Sequence, residues 1–215
     1  DIIYTGIRTQ IRKKMVIEII LAVIGIVLLF LFYMGVFKKI EFKISKLPSG
    51  DIIYTEYQGA YEKVGDEFTK MHGTLTKAGI IKEGDGCHPL GIYYDDPGKV
   101  DKTKCRAVIG NYVKRAIVVE TFVKENPDFK LASVDEVKTI ATSFPYRNWI
   151  SFILGTIKVY PAFEKAFKGE FKEYCSDEED SKESMIEVYK PKEIIFSFPV
   201  SSGKTSYYLT TKSIQ

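Results

Sequence analysis

An uncharged apolar segment near the N-terminus limits what this chain can fold into more than any other feature. Residues 19–37 carry no charged side chain, and only Glu18 is charged within the wider segment 16–37. A helix of about twenty such residues crosses the hydrocarbon core of a bilayer, whereas a secretory signal core is shorter and ends at small residues. We therefore predict a transmembrane helix over residues 16–37, with residues 1–15 as its N-terminal flank.

The charges beside this segment bear on its orientation. Equal numbers of basic residues precede and follow it, namely Arg8, Arg12, Lys13 and Lys14 before it and Lys38, Lys39, Lys43 and Lys46 after it. If Met15 is the biological start, the first four are lost, and the positive-inside rule then places the C-terminal domain in the cytosol. The sequence has no Asn-x-Ser/Thr sequon, which favours the same orientation.

Composition describes the part that follows as an ordinary folded domain. The chain has 215 residues, of which 45% are hydrophobic and 27% charged, and this excludes disorder and a multi-span membrane protein. From Lys38 onward 27 basic residues face 26 acidic ones, so the sequence predicts no direct binding of nucleic acid. Three cysteines, Cys87, Cys105 and Cys175, have no metal-ligand or disulfide-framework spacing, as is typical of a reducing compartment.

Hydrophobic periodicity predicts an α+β domain over residues 50–200. Two segments follow the same order of strand, helix, strand and strand, which predicts two similar halves around a pseudo-two-fold axis and one mixed or antiparallel sheet. Pro161 lies inside the second helix and is expected to kink it or to begin another helix. The predicted elements are strand 51–58, helix 61–78, strands 90–94 and 106–113, then strand 137–144, helix 149–167 and strands 185–189 and 194–200.

The segments that flank this domain are less regular. Residues 38–48 alternate apolar and charged side chains, which indicates either a short edge strand or a tether, and we assign residues 38–49 as the tether. The acidic run 177–180 is predicted to be a solvated loop, and residues 201–215 are assigned as a C-terminal tail.

The sequence lacks the common catalytic and cofactor motifs. It contains no Gly-rich phosphate loop, no nucleophile elbow and no metal-spaced cluster of His, Cys or Asp. His72 and His88 are the only histidines, and neither belongs to a recognisable triad motif. We predict no cofactor and no metal, and we favour a binding domain over an enzyme.

A turn after the third predicted strand is assigned a structural role. Asp95, Asp96 and Pro97 form a strong turn signal, because Asp side chains accept backbone N–H bonds and Pro presets φ. Residues 104–106 then open the returning strand, and Lys104, Cys105 and Arg106 are assigned to the same structural motif.

A second group of residues predicts a polar, aromatic cleft. Along the strand 185–189, Glu187 and Tyr189 face opposite to Ile186 and Val188. If the two aliphatic residues face the helices, the acid and the tyrosine face the open side of the sheet. We add Tyr94 and Trp149 as candidate cleft residues, while the alternative is that Glu187 is an ordinary surface residue.

Two of these segments resemble one known family. Residues 91–106 contain a Tyr-Tyr-Asp-Asp-Pro turn followed by Lys-Cys-Arg, and 187–189 is a Glu-aliphatic-Tyr strand. Both are similar to the GyrI-like domain family, and the N-terminal anchor resembles the membrane-anchored members of that family. The resemblance implies the duplicated strand–helix–strand–strand fold and a cleft that binds small cationic or aromatic molecules, with Glu187 and Tyr189 as binding residues.

The resemblance also implies a cellular role. Membrane-anchored members lie in the endoplasmic reticulum with the domain in the cytosol, and they act as receptors for selective autophagy of that organelle (ER-phagy). The implied protein partners are autophagy ubiquitin-like modifiers and, at the nuclear envelope, an AAA segregase and a DNA–protein crosslink protease. We therefore expect an endoplasmic-reticulum adaptor that tethers and does not catalyse.

This chain departs from the receptor pattern. Segments with an aromatic residue followed at the third place by an aliphatic one occur at 4–7, 37–40 and 61–64, and none is an exposed acidic peptide. The alternatives are a small-molecule hydrolase, in which Glu187 acts as a base if burial raises its pKa, a ligand sensor, and a transcription regulator.

Overall fold

The chain forms two compact units, residues 1–39 and 40–215, in a computed structural model. The structure describes residues 2–174, 184–200 and 209. The acidic run predicted as a loop and most of the predicted tail lie outside the described residues.

The apolar segment lies in one long helix, α1 (Ile2–Tyr33). Within it, the stretch Arg12–Tyr33 is the one helix of the described residues that is long and apolar enough to cross a membrane. The helix ends before the predicted boundary at Phe37, because Gly35 adopts a φ of 79°, the left-handed conformation that commonly ends helices.

The second unit contains a single eight-stranded sheet in which all neighbouring strands are antiparallel. The α+β prediction is confirmed, and the sheet is antiparallel rather than mixed. The described strands are β1 (Lys43–Leu47), β2 (Gly50–Gln58), β3 (Pro89–Tyr93), β4 (Arg106–Val113), β5 (Lys130–Val134), β6 (Val137–Pro145), β7 (Met185–Tyr189) and β8 (Glu193–Pro199). The helices are α2 (Val64–Lys77), α3 (Ile117–Glu125) and α4 (Ile150–Lys168).

The predicted duplication is present. The first half is β2-α2-β3-β4 and the second is β6-α4-β7-β8, and they meet where β3 pairs with β7 in the strand order β1-β6-β8-β7-β3-β4-β2-β5. The pseudo-two-fold axis therefore lies between β3 and β7, with one helix contributed by each half.

Each half also receives an edge strand from the other half of the chain. β1 precedes the first half but pairs with β6, and β5 precedes the second half but pairs with β2. Lys43–Leu47, which lies within the predicted tether, is thus an edge strand. An edge strand was the second interpretation that the sequence left open for this segment. The sequence analysis did not predict α3 or β5.

Both faces of the sheet are buried. On one face, α2 and α4 pack on separate clusters, around Leu75 and around Phe163. The opposite face forms a third cluster of strand residues that joins Leu47 at one edge to Val134 at the other. Only two residues, 135 and 136, connect β5 at one edge to β6 beside the other edge, so the sheet curls and this face closes on itself.

α4 is one continuous helix despite Pro161. Of the two alternatives expected at this residue, a kink or the start of a second helix, the second does not occur, because proline removes one backbone hydrogen bond while Val159 and Phe163 on either side stay buried against the sheet. Gly155 lets the helix approach closely, since a Cβ there would lie 2.9 Å from the Phe196 ring.

Candidate functional site

Glu187 lies at the centre of the sheet, beneath a cleft between α2 and α4. It is on β7, opposite Gly91 of β3 and Phe196 of β8, and only 6% of the residue is exposed. The predicted alternation along β7 holds, but the face is reversed. Ile186 and Val188 belong to the apolar cluster of the curled face, so Glu187 points to the helices and not to an open side.

Tyrosine hydroxyls occupy both oxygens of this carboxyl group. Tyr160 of α4 donates to Oε1 at 2.8 Å, and Tyr189 donates to Oε2 at 2.9 Å. The Tyr189 hydroxyl also lies 2.8 Å from that of Tyr93 on β3. One chain of hydrogen bonds therefore joins a helix and the central strands of both halves.

The backbone of β3 makes room for this chain. Gly91 lies on the same side of the strand as Tyr93, two residues away, and a Cβ at Gly91 would be 2.8 Å from the Tyr93 ring. Glycine is therefore required if the ring is to lie over the strand beside Glu187.

Burial dominates the electrostatics of the cleft. Removal from water raises the pKa of Glu187 to about 7, although hydrogen bonds from Tyr160 and Tyr189 act in the opposite direction. Burial likewise raises the pKa of Tyr93, Tyr160 and Tyr189 well above the ordinary range. The three hydroxyls thus stay protonated, and near neutral pH the carboxyl group exchanges between its neutral and charged forms.

No cation of the described residues contributes to the pKa of Glu187. Aromatic rings surround it instead. Phe68 of α2 and Phe152 of α4 meet the Tyr189 ring edge-on at 5.1 and 5.5 Å, and Tyr61 meets Tyr93 at 5.0 Å. The result is a cavity of about 2350 Å³ with an acid at its base and aromatic walls.

The predicted cleft residues are only partly brought together. Glu187 and Tyr189 are in contact, and Trp149 lines the mouth of the same cavity. Tyr94 packs against the curled face, where its hydroxyl accepts a bond from the Leu209 amide at 3.0 Å. Tyr94 also lines the cavity, so its assignment as a cleft residue stays a prediction.

Sequence reasoning missed Tyr93 and Tyr160. Tyr93 shares its side of β3 with Gly91, so the two-residue alternation could have selected it over Tyr94. Tyr160 follows Phe152 by eight residues on α4, and both line the cleft. No local signal pairs Tyr160 with Glu187, since 27 residues separate them.

The turn after β3 contains a second carboxylate, that of Asp95, and both of its oxygens accept hydrogen bonds from Arg106. Asp95 accepts bonds from the Arg106 backbone amide at 2.7 Å and from its Nε and Nη2 at 3.0 and 2.9 Å. Tyr61 ties this turn to the cleft, since its hydroxyl donates to the Arg106 carbonyl at 2.7 Å and accepts from the Asp95 amide at 3.2 Å.

The other residues of this motif have local partners. Asp96 accepts from the Gly98 amide at 2.8 Å and pairs with Lys99 at 3.1 Å, just after Pro97. Cys105 is fully buried, and Lys104 ends a short 3₁₀ turn. The structural role of the motif stays a prediction.

Within the described ranges there is no group of three His, Cys, Asp or Glu residues that could hold a metal.

Known proteins support the fold and a distant relationship. No family profile matches the chain. Human testis-expressed protein 264 is 23% identical over 178 residues, which is 79% of this chain and 51% of that protein. The chain thus spans about half the length of the curated relative it matches.

Solved structures show a likeness of fold. The EcmrR C-terminal domain superposes with a TM-score of 0.50 at 9% identity, covering 74% of this chain and 96% of that domain. SAV2435 bound to tetraphenylphosphonium gives 0.47 at 9% identity over 75% and 94% of the two chains, a likeness too weak for any conclusion. The chain therefore has an α+β fold like that of the EcmrR C-terminal domain, preceded by one N-terminal apolar helix, and it is similar in sequence to human testis-expressed protein 264.

Proposed function

We propose that this chain is a membrane-anchored binding protein whose cleft takes a small cationic molecule with an aromatic or apolar body. One observation carries the proposal. Glu187 is buried under aromatic rings and hydrogen-bonded to two tyrosines, yet no basic residue of the described chain offsets its charge. A buried carboxylate of this kind is costly unless a cation joins it.

Binding and proton release are expected to be coupled. A cation beside Glu187 favours the charged carboxylate and so lowers its pKa from about 7. The surrounding rings add cation–π attraction, which gains strength when the cation is desolvated. Affinity should therefore rise with pH through the neutral range, and binding should release a proton in that range.

A hydrolase is the second candidate, because the raised pKa of Glu187 meets one condition for a general base. Two features favour binding instead. Both carboxyl oxygens already accept tyrosine hydroxyls, and the described residues provide no metal cluster. The ligand-sensor reading agrees with the same geometry.

The cellular role is a further part of the proposal. The apolar helix α1 supports the membrane anchor. From the sequence resemblance we extend the proposal to an adaptor or ER-phagy receptor of the endoplasmic reticulum, with the domain in the cytosol. Protease added to intact microsomes should then digest the domain. Full protection would place it in the lumen and end this part of the proposal.

The cleft is tested with two ligands that differ only in charge. An aryl trimethylammonium ion and its neutral tert-butyl analogue are titrated into the full chain in detergent by calorimetry. The ion should bind about tenfold more tightly than the analogue, and Glu187→Gln should remove that preference, a loss of roughly 1–2 kcal/mol.

Glu67→Gln is the matched control, because it removes the same charge from the exposed surface of α2. It should leave the preference for the ion unchanged. Equal affinity for both ligands in the unmodified chain would refute the proposal. Turnover of an electrophilic ester that is lost in Glu187→Gln would favour the hydrolase.

A further inference from the structure

The outward side of α4 carries an apolar stripe that no described residue covers. Trp149, Ile153 and Ile157 recur at intervals of four, so they lie on one helix face, and they are 66%, 49% and 65% exposed. Phe152 extends the stripe toward the cleft and is 38% exposed. The opposite side of the helix, at Gly155 and Val159, is packed on the sheet.

Such a helix is unusual for a domain surrounded by water. A surface helix normally has a polar outer face, and contiguous exposed apolar side chains mark a contact site. These four residues also line the mouth of the cleft. Whatever covers them therefore also lies beside the entrance to the cavity.

We propose that this stripe docks on the surface of the bilayer that α1 anchors. The inference rests on the membrane anchoring proposed above and adds a second contact with lipid. Nine residues separate the end of α1 from the start of β1. Fully extended, they reach about 30 Å, so an anchored domain cannot leave the neighbourhood of the bilayer.

The composition of the stripe suits a bilayer surface. Tryptophan is favoured at the level of the lipid headgroups, and isoleucine side chains can enter the adjoining acyl region. Basic residues border it, with Arg147 before Trp149, Lys158 after Ile157, and Lys190 on the same cavity wall. These cations would meet anionic headgroups while the apolar side chains enter the membrane.

The size of the stripe also favours lipid over a protein. A stable protein interface uses about twenty residues on each side. Four side chains on one helix make a much smaller surface, but a few inserted residues are enough to orient a domain that is already tethered.

The test uses the single tryptophan of the chain, Trp149. The full chain is reconstituted into vesicles of phosphatidylcholine and phosphatidylserine at about 7:3. Brominated acyl chains should then quench about half of the Trp149 fluorescence, and aqueous iodide should quench little of it.

Two variants sharpen the result. The double change Ile153→Asp and Ile157→Asp should abolish quenching by the brominated lipid and restore access of iodide. Ile117→Asp is the matched control, because Ile117 on α3 is 83% exposed but lies outside the stripe, and it should leave quenching unchanged.

Flotation with the vesicles reports the anchor separately. If the chain floats but only iodide quenches Trp149, the docking inference is wrong and the anchor stands. If neither quencher reaches Trp149, a protein surface covers the stripe, which also overturns the inference. If the chain does not float after reconstitution, both the anchor and the docking are refuted.

Discussion

Two carboxylates of the cleft region show how differently one fold can treat the same charge. Asp95 lies in the turn after β3 and meets three donor groups of Arg106. Glu187 lies on β7, the strand that pairs with β3, and meets only neutral tyrosine hydroxyls. Burial acts to raise the pKa of both groups, but Arg106 outweighs it at Asp95, whose pKa is lowered, whereas that of Glu187 rises.

The difference separates a structural role from a binding role. A carboxylate whose charge is matched within the chain stabilises the fold and has little to offer a ligand. A buried carboxylate with no cation costs stability at neutral pH, and a cationic ligand would recover that cost. The predictions below test this contrast in order of expected effect.

The largest effect is expected from Asp95→Ala. The change removes all three bonds to Arg106 from a side chain that is 12% exposed. We expect a loss of about 3–4 kcal/mol in the free energy of unfolding. Denaturant unfolding of the full chain in detergent measures it. A loss below about 1 kcal/mol would mean that the pair is no more than a surface ion pair.

The stability of the unmodified chain should fall as pH rises from about 4.5 to 7. The pKa of Glu187 is about 7 in the folded state, above its ordinary value of 4.5, so the folded state holds the proton more tightly. Stability from this group is complete below pH 4.5 and is lost as pH rises through 7, by about 3 kcal/mol. Unfolding curves at several pH values measure the slope.

Glu187→Gln should flatten this slope, and the exposed Glu67→Gln should not. Asp95 has the opposite sign, since its lowered pKa makes stability fall as pH drops below its ordinary value of 3.8. The window between 4.5 and 7 therefore separates the titration of Glu187 from that of Asp95. An equal slope in Glu187→Gln would show that another group titrates there.

Gly91→Ala adds only one methyl group, but we expect it to displace the Tyr93 ring in the cleft. The new Cβ would lie 2.8 Å from the half-buried Tyr93 ring, which must move away from Tyr189. We expect a loss of about 2 kcal/mol in the free energy of unfolding, together with weaker cation binding. Gly73→Ala on α2 is the control, because no atom lies within 4 Å of its Cβ position, and it should be neutral or slightly stabilising.

The smallest effect is expected from Asp96→Ala. This side chain is more exposed than Asp95 and accepts one backbone bond, from Gly98. Its loss should cost about 1 kcal/mol and leave cation affinity unchanged. An unchanged melting temperature with altered ligand binding would instead make the turn part of the binding site.

Local patterns predicted most of the elements because their signals are local. The apolar segment, the two repeats of strand, helix, strand and strand, and the turn at Asp95 each depend on residues close in sequence. The sequence analysis missed α3 and β5. β5 is a short edge strand that depends on pairing with a distant partner, β2. The edge strand β1 was ambiguous for the same reason, because its partner β6 follows about ninety residues later.

The cleft shows where local patterns fail. Tyr93 and Tyr94 are adjacent tyrosines on opposite faces, and the sequence alone does not say which face the helices cover. Tyr160 reaches Glu187 only because α4 crosses β7 in the folded domain. These placements depend on packing between the two halves.

The sequence by itself determined that Glu187 and Tyr189 share one side of a strand and that Ile186 and Val188 share the other, because side chains alternate along any strand. Only the tertiary structure decided which pair lies beneath the helices. The sheet curls around one apolar cluster, and this buries the aliphatic pair among other strand residues. Since both faces of β7 are buried, no solvent-facing pattern marks the difference, and the acid takes the side where Tyr160 of α4 and its neighbour Tyr189 can reach it.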